Sequence, residues 1–87
     1  MTFLYALLLQ VQLAQPCEAH DSMVARLSQI YGESRIGIGV SGPRVVFEIF
    51  ANPLSKTWTI IRTSPSGISC LVATGFGWEM DEIGISI

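Results

Sequence analysis

The sequence predicts an α+β domain in which one amphipathic helix packs on a four-stranded antiparallel β-meander, preceded by a signal peptide. Three observations point there. Two β-branched runs, 57–63 and 68–74, flank the turn sequence Ser64-Pro65-Ser66-Gly67. Residues 21–31 carry apolar side chains at helical spacing, and the runs 35–40 and 44–50 place theirs at the period of two that a strand needs.

The chain begins Met1-Thr2-Phe3-Leu4-Tyr5-Ala6-Leu7-Leu8-Leu9, followed by Val11 and Leu13, with Gln10, Gln12 and Gln15 as interruptions. A membrane span needs about 20 apolar residues, and this run stops well short. It reads as a signal peptide, residues 1–14, removed after Ala14, so that the membrane is met only transiently. Cleavage after Ala19 competes, because Cys17 and Ala19 satisfy the small-x-small rule, but it would discard Cys17 and strand Cys70. A retained apolar helix over 1–14 is the other alternative. The chain holds two cysteines, and a Cys17–Cys70 disulfide places the protein in an oxidising compartment, periplasmic or secreted.

What remains is one disulfide-stapled domain, 15–79, and a tail, 80–87, with acidic and apolar residues. A domain of this size has a marginal core without a staple. Closing a loop of about 50 residues contributes roughly 4 kcal/mol in the chain-entropy model.

Met23, Val24, Leu27, Ile30 and Tyr31 fall at i, i+1, i+4, i+7 and i+8, one stripe of a helix over 21–31. Asp21 or Ser22 is placed to cap its start and Gly32 to end it in the left-handed conformation. Three turns cannot bury that stripe alone, so a sheet must receive it. In the first strand Ile36, Ile38 and Val40 share one face. Ser41-Gly42-Pro43 turns the chain, and Val45, Phe47 and Ile49 share a face of the second strand, with Glu48 marking its outward side. Residues 52–56 form a loop.

In the hairpin, Pro65 presets φ for a type I turn and Gly67 supplies the left-handed residue of the bulge that closes it. The register then sets Arg62 opposite Cys70, Ile61 opposite Leu71, Ile60 opposite Val72 and Trp58 opposite Thr74. Trp58, Ile60, Ile68, Cys70 and Val72 form the face expected to take the helix. The opposite face carries Thr59, Ile61, Thr63, Ser69 and Leu71, the candidate binding face. A one-residue slip would exchange the two. Trp78 is expected to fold back onto the sheet.

The order of Cys17, a helix ending Tyr31-Gly32-Glu33, then Phe47-Glu48-Ile49-Phe50, Thr57-Trp58-Thr59-Ile60, Gly67-Ile68-Ser69-Cys70-Leu71-Val72-Ala73 and Gly75-Phe76-Gly77-Trp78-Glu79 resembles small exported proteins of unknown function from alphaproteobacteria and their phages. The resemblance covers most of 15–79. It implies export and a disulfide, and no activity.

Five basic against seven acidic residues, net charge −2, provide no basic patch for nucleic acid. Gly37-Ile38-Gly39-Val40-Ser41-Gly42 matches a dinucleotide-binding pattern in letters only, because those glycines must open a helix after a strand and here lie within one. One histidine and two distant cysteines do not make a tetrahedral zinc site, and Glu79, Asp81 and Glu82 lack the spacing of a calcium loop. No cofactor is expected. His20 beside Asp21 cannot by adjacency build a catalytic triad, and an exposed histidine at a helix start is the plainer reading. Trp58 and Trp78 suit core and lid roles better than a binding platform.

These observations favour an exported, non-enzymatic binding module for an unknown protein or envelope partner, with homodimerisation as one form of binding. A phage- or envelope-associated structural protein and a small hydrolase using His20 are the alternatives.

Overall fold

The computed structural model describes residues 16–80. The signal peptide predicted over 1–14 and the tail residues 81–87 lie outside the described residues.

Turn chemistry at Pro65 acts as predicted. The Gly67 N–H donates to the Ser64 carbonyl at 2.9 Å and the Ser64 N–H to the Ile68 carbonyl at 3.0 Å, with Gly67 at φ 86°. Strands β4 (Trp58–Thr63) and β5 (Ile68–Gly75) therefore pair Thr63 with Ser69, Arg62 with Cys70 and Ile61 with Leu71. Beyond Ile61 a bulge shifts the register, so that Ile60 faces Ala73, Thr59 faces Thr74 and Trp58 faces Gly75. This corrects the expected Ile60–Val72 and Trp58–Thr74 pairs. The Trp58 indole lies so close to Gly75 that a Cβ there would sit 2.9 Å from the ring; without the bulge, Thr74 would have to occupy that place.

Strands β2 (Ser34–Ser41) and β3 (Val45–Ala51) complete the predicted meander. Arg44 is not in β3 as the alternation suggested, because it occupies the left-handed region at φ 68° and finishes the turn. Among the described residues the sheet has five strands rather than four, in the order β1-β5-β4-β3-β2. The added strand, β1 (Cys17–Ala19), pairs antiparallel with β5, Cys17 opposite Cys70, and the disulfide joins them with Cα atoms 4.0 Å apart. Three residues are too few to show a period, so the pattern of apolar residues could not announce β1.

The chain passes directly from β1 into α1 (His20–Tyr31). Ala19 is the N-cap and provides no side-chain cap, in place of the expected Asp21 or Ser22. Instead the His20 N–H is satisfied by the Gly67 carbonyl at 3.0 Å. Gly32 closes the helix at φ 64°, its N–H bonded to Ser28 and the Glu33 N–H to Leu27. Met23 and Leu27 are buried with Phe50 and Ile61, and Val24 and Leu71 pack against them. Ile30 and Tyr31 are exposed, so the predicted stripe is used only through its first two turns.

The helix covers the face opposite to the one expected. Cα partners share a face, which places Phe50, Thr59, Ile61, Thr63, Ser69 and Leu71 under or beside α1. Successive antiparallel pairings make β1 and β2, at the two edges of the sheet, run parallel. A helix joining parallel strands of one sheet crosses in the right-handed sense. That preference offers a physical reason for the side taken, which the apolar content of the faces does not. Both faces are apolar enough to have received the helix.

Candidate functional site

Glu48 lies at the centre of β3, flanked in sequence by Phe47 and Ile49. A carboxylate there would be expected to face water, but it is on the helix side and buried, which corrects its outward assignment. Burial of a charge is tolerable only with partners, and Glu48 has two. The His20 ring donates from Nε2 to Oε1 at 2.7 Å, and Arg35 donates from NH1 to Oε2 at 3.1 Å.

Each partner is placed by its own element. His20 is the first residue of α1 and projects down onto β3. Arg35 reaches the same carboxylate from β2, where Ile38 is the Cα partner of Glu48. A carboxylate oxygen only accepts, so Nε2 carries the proton. The other ring nitrogen, Nδ1, lies 3.7 Å from Asp21 Oδ1, beyond hydrogen-bond length. His20 is thus half-buried and oriented, not the exposed histidine that its position in the sequence suggested.

Along the flank of α1, His20, Val24 and Ser28 recur at i, i+4 and i+8 and form one wall of a groove. Glu33, Ser34 and Arg35 form its far end, with Glu48 and Phe50 in its floor, and its volume is about 380 Å³. Glu33 is only 3% exposed, and its Oε1 has no hydrogen-bond partner. Its position is fixed by the helix terminus, because the Gly32 turn that ends α1 carries the next residue back under Leu27. On the other side of the Glu48 cluster is a shallower depression of about 360 Å³, lined by His20, Arg35, Ile38, Val46, Thr63 and Gly67.

Both cysteines are in the disulfide, and the only hydrogen bond of the His20 ring among the described residues is to Glu48. A nucleophile held by a base is therefore missing from the cluster. Among the described residues no three His, Cys, Asp or Glu side chains are grouped to hold a metal ion. A separate ion pair, Arg26 Nε to Glu18 Oε2 at 2.8 Å with a second bond of 3.1 Å, ties α1 to β1 and holds the Glu18 carboxyl below the usual carboxylate range, chiefly through the hydrogen bond.

The candidate binding face is not open. Thr59, Ile61 and Ser69 are buried, and Thr63 and Leu71 are half-buried. Their hydroxyls pair internally, Thr63 with Ser69 at 2.7 Å and Thr59 with Thr74 at 3.4 Å. Among the described residues the face without a helix is the other one, carrying Val45, Phe47, Ile49, Trp58 and Ile60, all half-buried. Trp78 folds back beside Trp58 as expected, with ring centroids 6.2 Å apart, and its backbone N–H donates to the Lys56 carbonyl.

Glu33, Arg35 and Glu48 went unnoticed as a group because they belong to different elements. The available signal was Glu48 itself, a carboxylate inside an otherwise apolar strand, for which a partner had to exist. Compared with known proteins, the chain matches no protein-family model, no curated protein and no solved structure.

Proposed function

We propose that the protein is an exported, disulfide-stapled binding module that recognises its ligand in the groove between α1 and strands β2 and β3. The observation that carries this reading is Glu33, which lines the groove and whose buried Oε1 has no hydrogen-bond partner among the described residues. Native structures rarely leave such an atom unpaired without a functional reason. Export is supported by the Cys17–Cys70 disulfide, by the apolar start of the sequence and by the resemblance to small exported proteins. No helix among the described residues is long and apolar enough to cross a membrane.

Hydrolysis through His20 is the weaker reading, because its ring serves Glu48 and holds no nucleophile. A structural role in an envelope or phage particle draws on the sheet face and the β2 edge that no other described residue covers, where Ile38 is 59% and Val40 71% exposed.

The test is a nuclear magnetic resonance screen of the oxidised protein against small cationic, anionic and neutral compounds. Amide shifts confined to residues 20, 33–35 and 48 are expected. Shifts gathered instead on Phe47, Ile49 and Ile60 would overturn the groove as the site. Intact mass of the exported protein tests export itself, with a product beginning at Gln15 as the expected result.

A further inference from the structure

We infer that the groove binds a primary ammonium or guanidinium group on an aliphatic stem, the chemistry of a lysine or arginine side chain. The inference rests on the groove being the binding site and adds the class of ligand. Its basis is the balance of donors and charges. Glu33 and Glu48 both carry carboxylates into the groove, and Arg35 is the only permanent cation lining it. Arg35 forms its ion pair with Glu48, through NH1. Glu33 has no such partner among the described residues, and its buried Oε1 lacks a donor.

The helix adds to this field. Glu33 follows directly on the C-terminal end of α1, where the peptide dipoles present their negative pole, and no basic residue occupies the last turn of α1. A carboxylate at that end repels the dipole, so the site calls for a cation twice over. A ligand cation would donate to Glu33, with the Ser28 and Ser34 hydroxyls as further acceptors. Val24 and Phe50, which also line the groove, offer apolar contact for a short methylene stem. An anion would meet two carboxylates, and a neutral alcohol would leave the charge uncompensated.

The oxidised protein, ¹⁵N-labelled, is titrated at constant ionic strength with n-butylammonium chloride, with n-butanol, and with Nα-acetyl-lysine amide. The ammonium probes are expected to shift the amides of residues 32–35 in a saturable way, with dissociation constants of about 1–10 mM for so small a ligand. Butanol should leave these amides in place. Glu33→Gln should weaken binding at least tenfold. Ser28→Lys, which brings an ammonium to the same oxygen from the helix flank, should raise the melting temperature and remove probe binding, and it decides the matter if Glu33→Gln fails to fold. Tighter binding of the acetyl-lysine amide than of butylammonium identifies a peptide side chain as the source, and equal binding a free amine. The inference is overturned if neither ammonium probe shifts residues 32–35 at about 50 mM, or if Glu33→Gln binds as the parent does, in which case water supplies the missing donor. Groove shifts caused only by neutral or anionic compounds would also overturn it, while leaving the groove as the binding site.

Discussion

His20 Nε2 and Glu48 Oε1, 28 residues apart in sequence, meet at 2.7 Å and join the first residue of the helix to the middle of β3. Arg35 shares that carboxylate, so each of the two donors can cover partly for loss of the other. His20→Ala and Arg35→Ala should each destabilise the fold by about 1–2 kcal/mol. The double variant should lose more than the sum, because it leaves a buried carboxylate with no partner. A double-mutant cycle by urea unfolding measures the coupling, and strict additivity would mean that Glu48 finds water.

Reduction should lower the melting temperature sharply. Cys17 and Cys70 are 53 residues apart, and in the chain-entropy model a loop of that length contributes roughly 4 kcal/mol. For a domain this small, each kcal/mol corresponds to about 4–8 °C. Calorimetry with and without reductant gives the answer, and coincident melting curves would show that β1 contributes little.

Leu71→Lys should unfold the isolated domain. Leu71 packs against the cluster of Met23, Leu27, Phe50 and Ile61 under α1, where an unpaired charge costs several kcal/mol. Ile61→Ala at the adjacent, fully buried position should cost about 2–5 kcal/mol. Circular dichroism of both variants, compared with the parent, measures the effect. A folded Leu71→Lys would mean that α1 can lift from the sheet.

The exposed β2 edge sets up a different expectation. Its order Ile36-Gly37-Ile38-Gly39-Val40 has the same chemical pattern in both directions, so two copies can pair antiparallel about Ile38 and extend both sheets. A concentration-dependent dimer should appear in sedimentation velocity, and Ile38→Lys, which brings two ammonium groups together on the symmetry axis, should abolish it without unfolding the domain. A parent protein that stays monomeric at millimolar concentration would remove this expectation.

Arg26 holds Glu18 ionised below the usual carboxylate range. A carboxyl with a lowered folded-state value adds stability above its ordinary titration range and loses it as pH falls through the folded value. Arg26→Ala should return the Glu18 titration, followed by carboxyl ¹³C shifts, to the ordinary range. The stability difference between parent and variant should then vanish toward acid pH. An unchanged Glu18 titration would show that the ion pair does not persist in solution.

Local chemistry made much of this fold legible. The Pro65 to Gly67 turn announced its hairpin and the register next to it, Gly32 announced the end of the helix, and two cysteines announced their bond. The face taken by the helix was not legible, since Ile61 with Leu71 and Ile60 with Val72 offer comparable apolar surface. Only the handedness of a crossover between two edge strands separates them, and β1 was too short to be seen. The groove was hidden for the same reason. Once the helix is assigned to the wrong face, Glu48 points to solvent, and His20, Arg35 and Glu33 have nothing to converge on.

The Cys17–Cys70 bond also determines how the domain would bear mechanical load. Tension applied between Pro16 and Met80 enters at β1 and crosses the disulfide to β5, bypassing α1, β2, β3 and β4. Only the ten residues beyond Cys70, counted from 71 to 80, can peel away, which limits extension to about 35 Å at 3.3–3.6 Å per residue. Pulled between Pro16 and Met80, the oxidised protein is a short tether carrying a loop that the disulfide shields from the load.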